Sequence, residues 1–562
     1  MAARAATLLG RLEATRWSFG TEAARRRREW LRALLSRPLR SARDIERLHE
    51  ALLAARAYPD DRATLALAKR ALARFGVRAD VRAYRAKLVD SGIAGADIRF
   101  AFFAPTARRL AAHWPAALEI DWDGMGDAGA VLEDWLPLLA LDAEVPGLDE
   151  YDYGLRGWLA RLQGADGADG AFVARRLSER VADDAVYERV HDGLGIPYIL
   201  RGGRTTPSRT LARWPTRSTY FQRAPFSGRP DLAVAVATPP QCVEPLDARD
   251  GERAILLATA AMVTRSRDLD VFAWGDARDV RHVDCGDGLA FLMIGARPER
   301  RLLLESVYGF LTLKNGVPVG YVLTSALFRS AEIAFNVFET FRGAEAGPLY
   351  GRVLGMMRAL FGSETFTIYP YQLGEGNDEA IESGAWWFYQ KLGFRPRAGS
   401  ARALMQRELR RLRRDPSHRS PASVLRRLAA ANLYWSDGSA RRDVIGELPL
   451  ASAGLAVTRL VRTRYHGDRI AAAADCERQA ADLLQQRSFA GWSGEERHAW
   501  SRWAPLVTLL PGVSAWSPRD RRELAGVIRA KGGRREDDFV RAFDAHPRLP
   551  ATLATLVRRE RT

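Results

Sequence analysis

Tyr389 stands in the run SGAWWFYQKLGF, residues 383–394, where two Trp, a Phe and a Tyr precede a Gly-Phe pair. A phenol keeps its proton near neutral pH and can give it to a departing anion. Upstream, the segment FNVFETFRGAEAG sets Arg342, Gly343, Ala344, Glu345, Ala346 and Gly347 between a strand pattern and a helix pattern. A loop entering a helix there aims several N–H groups at one point, and small residues let a ligand approach the backbone. Glu332 and Glu339 bracket the expected strand EIAFNVFET. Seven residues apart, they face opposite sides of an ideal strand, so at most one serves a given pocket as a base; the alternative for each is a solvated strand-end charge. Tyr371, Gln372 and Asn377 in YPYQLGEGNDEA are polar groups that would orient a substrate, or belong to a plain loop.

Other chemistries find no support. The eight histidines form no HxxxH or HxH spacing, and the three cysteines form no CxxC pair, so no metal site is expected. No GxxxxGK[ST] phosphate loop occurs. The absence of an apolar run of membrane-spanning length, together with the sparse cysteines, leads to the expectation of a cytoplasmic protein without membrane contact. The net charge of +17 is unevenly spread: residues 1–100 carry +11, 111–200 carry −12 and 401–562 carry +13. The basic ends would attract nucleic acid or dock on the acidic segment; the simpler reading, which is preferred, is solvated helix faces.

The elements that must position these residues are legible in the apolar spacing. Residues 1–90 read as helices, and the arginines at 25–28 as a solvated helix face. Residues 91–225 form a mixed, acidic region with strands at ADIRFAFF and AALEIDWD, ending in the basic loop RGGRTTPSRTLARWP, residues 201–215. That loop reads as an exposed basic turn or as an anion cradle. Residues 226–400 contain the helix ERAILLATAAMVTRS, the strand GLAFLMIG, and the hairpin SVYGFLTL-KNG-VPVGYVLTS, whose Asn315-Gly316 pair accepts the positive φ of a tight turn. The strand EIAFNVFET follows, then a helix with Pro348 near its start and Gly362 past its end, the strand TFTIYPY and one helix over NDEAIESGAWWFYQKLG with Asn377 as N-cap. Residues 401–421 read as a basic linker and 422–562 as a helical region. The fold class is α+β, a central mixed sheet with flanking helices.

In its order of elements, the 226–400 region resembles the GNAT superfamily of acyl-coenzyme A-dependent N-acyltransferases. Three places carry the resemblance. NGVPVGYV resembles the family's second and third strands. FNVFETFRGAEAG resembles the fourth strand and the pyrophosphate loop, with Arg342, Gly343 and Gly347 at matching positions. ESGAWWFYQKLGF resembles the last helix, with Ala385, Tyr389, Gly393 and Phe394 at the spacing Ala-x-x-x-Tyr-x-x-x-Gly-Phe. Two positions depart: Glu345 stands where the family has the first loop glycine, and Glu382 where it often has Asn. The resemblance implies transfer of an acyl group, in the first instance acetyl, from acetyl-CoA or another acyl-CoA to an amine on a small molecule or peptide. Tyr389 would be the general acid and Glu332 or Glu339 the base. Phe338 or Thr340 would supply an oxyanion-binding N–H, residues 342–347 and Ala385 would hold the cofactor, and no metal would be needed. A second reading keeps the fold as a degenerate binding or scaffold module, with Glu345 as the lesion. A third, from the basic ends, is a tRNA- or nucleic-acid-associated transferase.

Overall fold

The computed structural model describes residues 5–164, 167–226 and 228–559. It has a mixed α+β architecture in two compact units. The first gathers residues up to 225 with 252–274 and 313–319; the second takes 226–251, 275–312 and 320 onward. The expected 226–400 region is therefore divided, with 252–274 and 313–319 going to the first unit. Residues 401–421 and 422–562 belong to the second unit.

The first unit opens with helices Ala5–Ala14, Thr21–Leu35, Ala42–Ala57 and Arg62–Ala73. Ser41 and Asp61 cap the third and fourth by accepting the N–H of Asp44 and Thr64. Only part of the arginine run at 25–28 is a solvated face. Arg25 and Arg26 pair with Glu22 in the open, but Arg27 is buried, bonded to Asp60 and to the carbonyls of Thr15, Arg16 and Ser18. Its guanidinium donates to carbonyls just past a helix exit, where the helical ladder no longer supplies donors. A three-stranded antiparallel sheet follows in the order β1 (Ile98–Phe100), β3 (Tyr198–Leu200), β2 (Leu118–Ile120). The 201–215 loop is exposed at Arg204 and Arg213 and tied down elsewhere. Arg201 pairs with Asp97 and Glu119; Thr210 is buried against His49, 2.8 Å away, and Arg56 donates to the Thr210 carbonyl. The hairpin turn at Asn315 (φ +48°) and Gly316 (φ +76°) has the backbone the sequence predicts. A Cβ on Gly316 would lie 2.2 Å from the Trp214 carbonyl, so glycine is needed for approach as well as for φ.

The second unit is built on a nine-stranded sheet, ordered β11-β12-β10-β9-β8-β7-β6-β5-β4. Its strands are β4 (Cys242–Pro245), β5 (Gly275–Gly286), β6 (Leu289–Ala296), β7 (Ser306–Lys314), β8 (Val317–Leu327), β9 (Ser330–Val337), β10 (Thr365–Ile368), β11 (Arg395–Pro396) and β12 (Leu433–Ser436). β9 and β10 run parallel, joined by the helix Ala346–Phe361, whereas β8 with β9 and β10 with β12 are antiparallel. A helix as the crossover is what a parallel pair requires. β12 comes from the region expected to be helical and lies between β10 and β11. The expected linker is a helix, Gly399–Arg414, followed by a turn fixed by the buried Glu408, which accepts from Ser420 at 2.7 Å and contacts His418 at 3.0 Å. The C-terminal helices share one apolar core with the sheet. A buried polar cluster ties them to it: Arg281 on β5 donates both terminal nitrogens to Asp537 (2.7 and 2.8 Å), and Tyr308 on β7 donates to Asp279 at 2.7 Å.

Glycines on one face of the 346–361 helix set its packing. Gly347, Gly351 and Gly355 lie four residues apart, one above the other. The helix Leu232–Ala237 and Pro230 press against this stripe: a Cβ at 355 would sit 2.4 Å from the Thr238 carbonyl and 2.5 Å from that of Ala235.

Candidate functional site

β9 and β10 pair over three rungs only, Ser330 with Thr365, Ala331 with Phe366 and Glu332 with Thr367. β9 then continues to Val337, while β10 ends at Ile368 and the chain turns into the short helix Pro370–Leu373. The strands therefore part company halfway along β9. A cavity of about 220 Å³ opens at that point, walled by Phe335, Asn336 and Val337 from β9, Arg342 and Ala346 from the loop and helix start, and Gln372, Asn377, Ala385, Phe388 and Tyr389 from the following segment.

Each wall has a local cause. The expected single helix over 377–393 is two, Asp378–Glu382 and Ala385–Leu392, because Gly384 adopts a left-handed φ of +69°. Asn377 caps the first, accepting the Ala380 N–H at 3.2 Å and donating to the Tyr371 carbonyl at 3.1 Å. In the second, Trp386 and Tyr389 turn inward, Trp387 turns toward Ser420, and Phe388 faces the cavity. Tyr350 on the 346–361 helix sits at the hub of this aromatic group, edge-on to Phe335, Phe388, Tyr389 and Phe394 with centroids 5.3 to 6.0 Å apart. Such pairs are worth about 0.5–1.5 kcal/mol each beyond their burial. They hold the Tyr389 ring fixed in the cavity wall. Burial pushes the Tyr389 phenol above its ordinary value, so it remains protonated at neutral pH.

The loop enters its helix at Glu345, the N-cap residue, with Gly343 at φ +80°. The first helical bond runs from the Leu349 N–H to the Glu345 carbonyl at 2.9 Å. The N–H groups of a helix's first turn lie outside its ladder; Pro348 has none, so Ala346 and Gly347 supply the donors at the positive end. Arg342 also lines the cavity, and its guanidinium is paired with Glu379, another lining residue. The Asn336 amide oxygen is buried without a hydrogen-bond partner.

The two candidate bases separate. Glu332 lies within β9, mostly buried, and its carboxyl is pushed up to about 7 by burial and by the neighbouring Glu305 carboxylate. The phenol of Tyr369 is also raised by burial, with Glu332 and Glu305 contributing. Glu339 is not on the strand: it begins the short 3-10 turn Glu339–Phe341 and is exposed. The same turn takes Phe338 and Thr340 past the end of β9, where both are buried and neither lines the cavity. Of the other expected residues, Gly343, Ala344, Glu345, Gly347 and Tyr371 lie outside the lining, and Tyr371 is exposed. The sequence reading missed Phe335, Asn336 and Val337, three consecutive residues at the end of β9 of which strand alternation would place only every second one on a given face, and Glu379, whose spacing from Arg342 carries no local signal.

Comparison with protein-family models, with curated proteins and with solved structures finds no match to this chain. Among the described residues, no helix is long and apolar enough to cross a membrane, and no group of three or more His, Cys, Asp or Glu side chains could hold a metal ion.

Proposed function

We propose that the second unit is a cytoplasmic acyltransferase that moves an acyl group, acetyl in the first instance, from acyl-coenzyme A to an amine. The observation that carries this reading is the parallel β9–β10 pair that stops pairing after three rungs and leaves a cavity with Tyr389 in its wall. A thioester supplies an activated acyl carbon, and the chain's residues must position it, stabilise charge and manage two protons. The N–H groups of Ala346 and Gly347 suit a diphosphate at a helix start. The orphaned Asn336 oxygen suits an amide or amine N–H inside the cleft. The cavity holds the reacting end of such a ligand, with small walls at Ala346 and Ala385. Tyr389 keeps its proton and is able to give it to a leaving thiolate. Of the two carboxylates, neither of which lines the cavity, only Glu332 has a carboxyl raised to about 7, in the range a general base needs.

Glu345 at the N-cap and the Arg342–Glu379 pair favour a second reading, a binding module of the same fold without turnover. Release of free thiol from acetyl-coenzyme A in the presence of a panel of amines separates the two. Amine-dependent release supports the transferase, and binding of the thioester without release for any amine supports the module.

A further inference from the structure

The helix Gly399–Arg414 lines no part of the proposed cleft and turns an arginine surface to solvent. Its inner face, with Ala401, Leu404, Met405 and Glu408, is buried. On the outer face Arg402, Arg407, Arg410, Arg413 and Arg414 are exposed, with the uncharged Ser400, Ala403 and Gln406 among them. The guanidinium groups of these five have no hydrogen-bond or ion-pair partner among the described residues. Arg411, also exposed, donates to Glu408 at 2.8 Å; Glu408 is the helix's only acidic residue. Asp415, just past the helix, is bonded to Ser417. Other exposed helix faces of this chain carry their own counter-charge: Arg25 and Arg26 stand beside Glu22, Arg519 beside Glu523 and Arg535 beside Asp538. The helix dipole accounts for cations in the last turn, but Arg402 lies in the first, where a cation gains nothing from it.

Helical spacing arranges these charges in two rows. At about 100° per residue, Arg402 and Arg413 fall on one flank of the exposed face and Arg407, Arg411 and Arg414 on the other, with Gln406 and Arg410 between, over a length of about 18 Å. We infer that this face binds double-stranded DNA, the helix lying in the major groove with its two flanks on the phosphates of the two strands. A helix is about as wide as that groove, ~12 Å, and guanidinium forks match phosphate oxygens. Duplex RNA has a major groove too deep and narrow for a helix. Single strands call for aromatic platforms, and this helix has no aromatic residue. A membrane surface calls for apolar side chains beside the charges, and here the large apolar residues turn inward. Contacts to phosphates carry no sequence information, so binding is tolerant of sequence. The inference does not depend on the acyltransferase reading.

Fluorescence anisotropy of a labelled mixed-sequence duplex, about 20 base pairs long, titrated with the full chain tests this. Saturable binding is expected at about 50 mM salt, weakening by about 10³-fold at about 200 mM as the counterions of five to six neutralised phosphates are released. The double variant Arg407→Gln/Arg414→Gln, at exposed positions that glutamine keeps helical, is expected to bind roughly tenfold or more weakly at the lower salt and to lower the salt exponent by about 2. Arg402→Gln/Arg413→Gln repeats the test on the other flank. Arg26→Gln/Arg32→Gln removes the same charge from an exposed helix of the first unit and is expected to bind as the wild type does. No saturation at about 50 mM salt with protein up to about 100 μM overturns the inference. So does equal binding by wild type and both face variants, or an equal loss in the first-unit control, which would assign the effect to net charge alone. Duplex RNA, poly-glutamate or equimolar phosphatidylcholine–phosphatidylserine vesicles bound as tightly as the DNA would overturn the choice of partner.

Discussion

Replacing Glu332 by Gln changes a charge without changing shape, and the effect on stability has a definite sign. In the unfolded chain the carboxyl ionises near 4.5; in the fold, burial and Glu305 move that to about 7. Between these values the unfolded chain has released a proton that the native state still holds, so stability falls as pH rises, and the penalty is complete above 7. The displacement corresponds to about 3 kcal/mol, at ~1.4 kcal/mol for each tenfold change in proton affinity. Glu332 is mostly buried, so screening by solvent removes little of it. Glu332→Gln is therefore expected to be about 3 kcal/mol more stable relative to wild type at pH 8.5 than at pH 4.5. Urea unfolding followed by tryptophan fluorescence, with both proteins at both pH values, measures the difference. Other raised carboxyls, such as Asp279 and Asp544, cancel because they are common to both proteins. An equal gap between variant and wild type at the two pH values refutes the environment assigned to Glu332, and with it the case for Glu332 as base.

Three further outcomes follow from the same geometry. Tyr389→Phe is expected to lower turnover by about 10²-fold, the usual scale for losing a general acid, while leaving acetyl-coenzyme A affinity within about twofold; steady-state rates alongside a binding isotherm measure the split. Gly355→Ala is expected to destabilise the second unit by about 1–3 kcal/mol, since its Cβ would lie 2.4 Å from the Thr238 carbonyl oxygen; urea melts report it. Asp537→Ala leaves the buried Arg281 guanidinium without its two shortest bonds and is expected to cost about 3–5 kcal/mol by the same assay, whereas breaking an exposed pair such as Arg519–Glu523 is expected to leave the melt unchanged.

The parts of the fold that were legible in the sequence are those whose cause is local. Asn315-Gly316 demands its turn, Gly362 ends its helix with a left-handed φ of +68°, and the alternation of EIAFNVFET runs along β9. Tyr389 and Ala385 fall in one cavity wall as their spacing of four implies. What was not legible depends on partners far away in the chain. β12 is four residues, Leu433–Ser436, in a helical context, and becomes a strand because β10 and β11 pair with it. Arg27 reads like its exposed neighbours until Asp60 and three carbonyls surround it. Glu339 continues the strand pattern in sequence, but β9 ends at Val337 and the 3-10 turn moves it out of the site.

The central claim is that the cleft between β9 and β10 takes the thioester end of acyl-coenzyme A. Isothermal titration of acetyl-coenzyme A into the wild type and into Ala385→Trp tests it most directly, because an indole at 385 fills the cavity wall beside Tyr389. The expected result is saturable binding to the wild type and at least roughly tenfold weaker binding to the variant, ~1.4 kcal/mol. No binding of acetyl- or longer acyl-coenzyme A by the wild type at millimolar concentration, or equal binding by the two proteins, would contradict the account.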